Sequence, residues 1–350
     1  MVTPLNHDHV DAFRVFRYSF GSVSIILNAV TVYLTLFHSG RAASSYRFYL
    51  LALQASGLFI DIFLAYLIAP IGLIPAPCVY ADGAAVEAGF KIHGRTAARR
   101  ALVDFVIAVC AVIVTYGGCF LFRHQAVLLP SSWLKLNGMK KLGLFIIICG
   151  GLSTMPITVY FSDVSEAEHN VIVAKYLGTW AAEDLKRVGC FKLKVIYLFV
   201  GETILTVIGC AFFLLIITCH IFFTLSSCSS ISSQAKSYHK LMTDILLLQV
   251  AIPTAGLMAP CCLLSIVYIL SIDSKRIHPH PRARTETPLV VLTMAAVEVM
   301  ALHSMAHCVV LVSTMPSYRR ALLSAVCKPK LSRKDTVISL KSLSHSNVKE

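Results

Sequence analysis

The sequence predicts an all-α integral membrane protein, a bundle of seven transmembrane helices. Three observations carry the prediction. Of 350 residues, 57% are hydrophobic and 14% charged, whereas a soluble domain carries about 25% charged residues. The mean hydropathy is +0.73, so the chain cannot cover a water-facing surface with polar side chains. Its apolar residues also gather into seven runs, each near or above the roughly 20 residues that cross a hydrocarbon core about 30 Å thick.

Residues 1–17 precede the first run and read as an extracellular N-terminus. The stretch MVTPLNHDHVDAF has neither a basic n-region nor an A-x-A site, so no secretory signal is expected. The runs fall near 18–37, 49–75, 101–122, 142–161, 195–224, 245–271 and 288–314. The second, fifth and sixth are over-long, which predicts tilt or extension beyond the bilayer. The fourth, LGLFIIICGGLSTMPITVYF, contains Gly150, Gly151 and Pro156, tolerated in lipid where neighbouring helices re-satisfy the backbone. Two polar loops are sizeable, Ala76 to Arg100 and Ser162 to Lys194, and neither is long enough for a separate domain. Residues 315–350 form a tail, Ser- and Lys-rich after Pro329, with the composition of a disordered segment.

Seven crossings put the termini on opposite sides. Lys and Arg divide almost evenly between the two faces, so the positive-inside rule does not choose an orientation. The acids Asp163, Glu166, Glu168, Glu183 and Asp184 share one face, while the loop Arg123 to Lys141 on the other is basic and free of acids. The exit from the seventh run, STMPSYRRALLSAVCKPK, adds the strongest sign. Pro316 can kink a helix leaving the hydrocarbon, Tyr318 suits the headgroup belt, and Arg319 and Arg320 suit an anionic cytoplasmic leaflet. Arg320 to Val326 can lie on that surface as a short helix. Cys327 beside Lys328 is either a palmitoylation point or a plain thiol. These signs predict a plasma-membrane protein with its N-terminus outside and its tail in the cytoplasm.

The formal net charge of +13 sits in loops and tail, which points to membrane lipids or a cytosolic partner rather than to nucleic acid. Most of the twelve cysteines lie inside apolar runs as small packing residues. Cys78 and Cys190 stand apart: both fall in outer segments, where an oxidising environment permits a disulfide. No metal spacing, nucleotide loop, serine elbow or zinc helix is present, so neither enzyme activity nor a cofactor is expected.

Several blocks resemble those of the nematode serpentine chemoreceptors, of the Sri/Srh type. They begin with SYRFYLLALQASGLFIDIFLAYLIAPIGLIPAPCVYADG, containing Gln54, Asp61, Pro70 and Pro75. They continue with Phe122-Arg123-His124-Gln125-Ala126 at the third exit and LLLQVAIPTAGLMAP, containing Gln249, Pro253 and Pro260, in the sixth run. The last is His303 followed by Pro316-Ser317-Tyr318-Arg319-Arg320-Ala321, in which Ser317 splits the family's Pro-Tyr pair. The rhodopsin-like Asp-Arg-Tyr and Asn-Pro-x-x-Tyr motifs are absent, and without a lysine in the seventh run a retinal Schiff base is excluded. The resemblance implies a G-protein-coupled receptor that binds an external small molecule and signals through a heterotrimeric G protein in sensory neurons.

Within the runs, Asp61 reads either as a conformational or ion-sensing switch or as a buried residue that fixes packing. Glu202 and Glu298 lie two to three turns below the outer ends of their runs, where they can meet a ligand, bond a neighbouring helix or line a solvated vestibule. His303 and His307, spaced i,i+4 on one face, read as packed, hydrogen-bonded histidines rather than a metal pair, for which no further ligands can be placed, and His303 is a candidate to meet a ligand. His278 and His280 belong to an outer loop. Pro253 and Pro260 read as a hinge or a static bend, and Arg123 as an activation-linked arginine by its position alone. The inner lysines Lys135, Lys140, Lys141, Lys236 and Lys240 read mostly as lipid anchors. The competing function is a seven-helix ligand-gated cation channel or transporter, with the buried acids lining a path.

Overall fold

The computed structural model describes residues 7–38, 44–73, 76–93, 96–128, 131–176, 187–227, 232–277 and 286–326. Among them, seven helical segments are long and apolar enough to cross a membrane: Asp11–Phe37, Tyr46–Leu67, Ala97–Val127, Gly138–Tyr160, Leu193–Ser227, Thr243–Leu270 and Val291–Thr314. The predicted helical bundle is therefore observed. To it is added a small sheet that the sequence did not announce.

Helix α1 (His7–Phe37) begins well before the apolar run at 18, so most of the segment read as an N-terminus outside the bundle is helical. Hydropathy misses this part because it contains Asp11, Arg14 and Arg17. Helix α2 (Ser44–Ile62) continues into a π-helical turn, Phe63–Leu67, and stops there instead of running to 75. Ala69 then takes a left-handed φ of 47°, and strand β1 (Pro70–Gly72) follows. The apolar run persists because Ile71 and Leu73 are fully buried. A buried strand and a buried helix have the same hydropathy, so tilt is not what makes this run long.

β1 pairs antiparallel with β2 (Cys78–Ala81), Ile71 opposite Tyr80. β2 pairs antiparallel with β3 (Val188–Cys190), Cys78 opposite Cys190. Those two cysteines are joined in a disulfide, with S–S 2.04 Å. Gly83, just after β2, packs on the end of the second span: a Cβ there would lie 2.0 Å from the Leu67 carbonyl oxygen, so only glycine fits. Helix α3 (Ala84–His93) leads back to α4 (Ala97–Val127). The result is a cap over one end of the bundle, tied to the last transmembrane helix by Thr293 Oγ1 donating to the Gly72 carbonyl at 3.1 Å.

Helix α5 (Gly138–Tyr160) starts at Asn137, whose side chain accepts from Lys140 N. Its internal Pro156 cannot donate to the Leu152 carbonyl four residues back. The Cys110 thiol of α4 approaches that carbonyl at 3.6 Å instead, as lipid-embedded prolines require. Helix α6 (Glu166–Tyr176) begins with a reciprocal box, Ser165 N to Glu168 Oε2 at 3.1 Å and Glu168 N to Ser165 Oγ at 3.3 Å. Helix α7 (Leu193–Ser227) follows β3. The sixth span is α8 (Ser233–Pro253), a π turn Thr254–Met258, and α9 (Ala259–Ile277). Helix α10 (Glu286–Thr314) and the short α11 (Pro316–Val326) complete the described chain.

The spans differ in how much of themselves they bury. The first buries 33% of its most apolar window, and the second, third and seventh 44% each. The fourth and fifth bury 11% and the sixth 6%. The first, second, third and seventh spans thus form the packed core. The other three lie outside it with apolar faces such as Phe145, Ile147, Phe212 and Ile216 exposed, as suits helices whose solvent is lipid.

Candidate functional site

Polar side chains sit on the inward faces at three depths. Nearest the cap, Asp82 follows β2 with its side chain 6% exposed. Arg14 Nε of α1 donates to it at 2.8 Å, and Arg187 Nη1, just before β3, at 2.6 Å. One carboxylate therefore ties the first helix and two strands of the cap together. Arg17, one turn below Arg14, is 2% exposed. Its guanidinium lies 5.6 Å from the Phe13 ring centroid and 5.1 Å from that of Tyr18, and none of its three nitrogens meets a hydrogen-bond acceptor. Glu298 of α10 also has both carboxylate oxygens buried and unbonded. Glu202 lies elsewhere, on the α5–α7 seam, where Thr158 Oγ1 donates to its Oε1 at 3.1 Å.

At mid-depth, Asp61 is 2% exposed. Its Oδ2 accepts from the Ser24 hydroxyl and from Asn28 Nδ2 at 3.4 Å. Asn28 also donates to Ser304 Oγ at 3.0 Å and accepts from the Cys308 thiol at 3.3 Å, so one amide joins α1, α2 and α10. Beside it is a cavity of about 10 Å³, lined by Asn28, Gln54, Gly57, Tyr116, His303 and His307 among others. That is about the space of one water. Gln54 Oε1, Asp61 Oδ1 and His307 Nε2 have no protein partner. His303 Nδ1 faces the Met300 carbonyl; a carbonyl only accepts, so Nδ1 carries the proton. His303 and His307 do share a face, but one far from Glu202.

At the opposite end from the cap, Arg123 is 6% exposed and stands over the Tyr46 ring at 3.9 Å. Its neighbour His124 forms a chain. Gln125 Nε2 donates to His124 Nδ1 at 3.3 Å, which leaves His124 Nε2–H to donate to His220 Nδ1 at 3.1 Å. Gln125 also pins the following loop: Leu136 N donates to its Oε1 at 2.8 Å, and its Nε2 donates to the Leu134 carbonyl at 3.1 Å. Lys135, expected as a lipid anchor, caps α4 instead, donating to the carbonyls of Gln125 and of Leu128, the latter at 3.2 Å.

The membrane exit also differs from expectation in one residue. Pro316 opens α11 as its first residue, a position that suits a missing N–H. The turn that follows places Tyr318 at 2% exposure among Leu34, Ile245, Leu311 and Met315, packed inside the bundle rather than turned to lipid headgroups. Arg319 and Arg320 are exposed. Pro253 ends α8 and Pro260 stands second in α9, bracketing the π turn. Cys327, His278 and His280 lie outside the described residues.

The three residues expected to meet a ligand, Glu202, Glu298 and His303, do not converge on one pocket. Arg17, Asn28, Asp82 and the His124–His220 pair were not foreseen. Arg17 lies just before the assigned run, yet Arg17, Ser24, Asn28, Thr31 and Thr35 are all buried. With buried Gly21 between the first two, their spacing repeats every three or four residues, the mark of a single inward face. A cleft of about 560 Å³ lies between α3, α4 and Tyr160, lined by Phe63, Arg100, Val103, Asp104 and small residues. Among the described residues, no group of three or more His, Cys, Asp or Glu is placed to hold a metal.

The family model described as serpentine type 7TM GPCR chemoreceptor Sri aligns with residues 12–322. No curated protein matches the chain.

Proposed function

The chain belongs to the serpentine type seven-transmembrane chemoreceptor family Sri, and from that premise we propose that it binds an external small molecule in the outer half of its bundle and activates a heterotrimeric G protein at its inner face. The observation that carries this reading is the family match through all seven spans, 12–322. The geometry supports it in two ways. Unbonded charged groups, Arg17 and Glu298, lie at the capped end, while Arg123 and the His124–His220 chain lie at the other. Between them the Asn28 network joins α1, α2 and α10. A ligand shifts such packing only through contacts that differ between the two states.

The same reading puts the cap outside, with the N-terminus, where a disulfide persists, and the exposed Arg319 and Arg320 against the cytoplasmic leaflet. Two measurements test it. Tags on the two termini of intact cells should show the N-terminal tag accessible and the C-terminal tag hidden; the reverse would sink the receptor reading. A small-molecule panel in a reporter cell should give responses that vanish when G-protein signalling is blocked, whereas currents that survive the block would favour the channel.

A further inference from the structure

We propose that His124 and His220 form a proton sensor in the seam between α4 and α7: a proton added to the pair parts the two rings and opens that seam. The neutral pair is a one-way chain of hydrogen bonds, set by the side-chain amide of Gln125. Leu136 N donates to Oε1 of that amide at 2.8 Å. A backbone N–H only donates, so the amide cannot turn over without setting two donors face to face. Its Nε2 hydrogens go to the Leu134 carbonyl at 3.1 Å and to His124 Nδ1 at 3.3 Å. His124 Nδ1 is thereby held as an acceptor, and Nε2–H of the same ring donates to His220 Nδ1 at 3.1 Å. His220 Nδ1 also accepts from the Thr224 hydroxyl at 3.3 Å, which leaves the proton of that ring on Nε2.

A further proton has two places to go. On His124 Nδ1 it faces the amide hydrogens of Gln125. On His220 Nδ1 it faces His124 Nε2–H. Each position sets two donors against each other, so the proton is accepted only when one ring turns out of the seam. His124 is buried and His220 half-buried, so His220 is the ring with room to turn. The charges around the pair do nothing to hold an imidazolium there. Lys135, which acts on His124, has the same sign as the added proton, and Arg123 is turned to the Tyr46 ring. Of the charged side chains on the neighbouring elements, Arg47 of α2, Lys140 and Lys141 of α5, and Lys236, Lys240 and Asp244 of α8, none bonds to either ring. A metal ion between the rings would need a lone pair on both facing nitrogens, and Gln125 denies one to His124 Nε2. The site is read from these bonds alone; that it senses the cytosol rests on the receptor reading.

The test uses the full chain in phosphatidylcholine nanodiscs and reads the thermal unfolding midpoint at about pH 7.5 and about pH 5.5, either side of the range in which an ordinary imidazole titrates. The reference is the double variant His124→Gln with His220→Asn, whose amides donate and accept where the two rings do and do not titrate. On acidification the wild-type midpoint should fall by at least about 2 °C more than that of the double variant, because the chain of bonds is complete at the higher pH and broken at the lower. Gln125→Glu keeps an acceptor for Leu136 N and offers another to a proton on His124 Nδ1, so it should lose that extra fall; it decides the matter where the double variant fails to fold. An equal pH response in all three proteins overturns the proposal. So does a midpoint raised by zinc chloride in the wild type alone, which would mark a metal pair. The nanodisc result holds whichever way the chain crosses a membrane. In reporter cells, acid loaded into the cytosol should raise ligand-independent signalling at least about twofold in the wild type, with no acid response in the double variant. A response to outside acid alone would overturn the receptor topology and leave the proton site.

Discussion

Asn28 shows how much of this bundle rests on single polar atoms. Its amide donates to Asp61 and Ser304 and accepts from Cys308. In Asn28→Ala these buried groups lose their shared partner. The expected loss is about 1–3 kcal/mol for each buried group left unmet, read as a lower unfolding midpoint. Arg123 poses the opposite problem. It is buried over Tyr46, so under the proposed receptor function a partner at the inner face meets it only after it leaves that ring. A cation–π contact contributes roughly 0.5–2 kcal/mol. Tyr46→Leu should therefore raise ligand-independent signalling between about twofold and thirtyfold, measured in the reporter cell at equal surface expression.

Among the elements, the π turns matter most. In the sixth span, Pro253 and Pro260 bracket residues 254–258, and the backbone at Gly256 comes so close to α10 that an added Cβ would meet that of His303 at 2.7 Å. Gly256→Ala should force the two helices apart at a cost of about 1–3 kcal/mol, seen as a lower midpoint together with altered basal signalling. The existence of all seven spans was legible in the sequence because each is a long apolar run. Their irregular parts were not. The run at 49–75 contains a helix, a π turn and a buried strand of one hydropathy, and only Pro70 and Pro75 hinted at the break. Of the site residues, Asp61, Glu202 and Glu298 were legible because a charge inside an apolar run is conspicuous, and Arg123 because it stands at the exit of one. Arg17 was not, because its neighbours Asp11 and Arg14 lowered the local hydropathy below that of a span.

At the scale of the molecule, two parts differ in how firmly they are held. The first, second, third and seventh spans form the packed core, while the sixth buries 6% of its apolar window. Backbone amides near its π turn should therefore exchange with deuterium before those of α4, since local opening tracks buried contact. The cap is held more tightly. Removing the Cys78–Cys190 bridge by Cys78→Ser, Cys190→Ser or both should lower stability by about 2–4 kcal/mol in each case, with equal midpoints in the three variants. The bridge also sets a timetable for making the protein. Cys190 lies 112 residues after Cys78, and two whole membrane crossings, α4 and α5, are synthesised between them. At roughly 5–20 residues per second, Cys78 waits as a lone thiol for about 6–22 s before its partner exists. During that interval β2 has only β1 beside it. The bridge therefore closes only after the third and fourth spans have been synthesised.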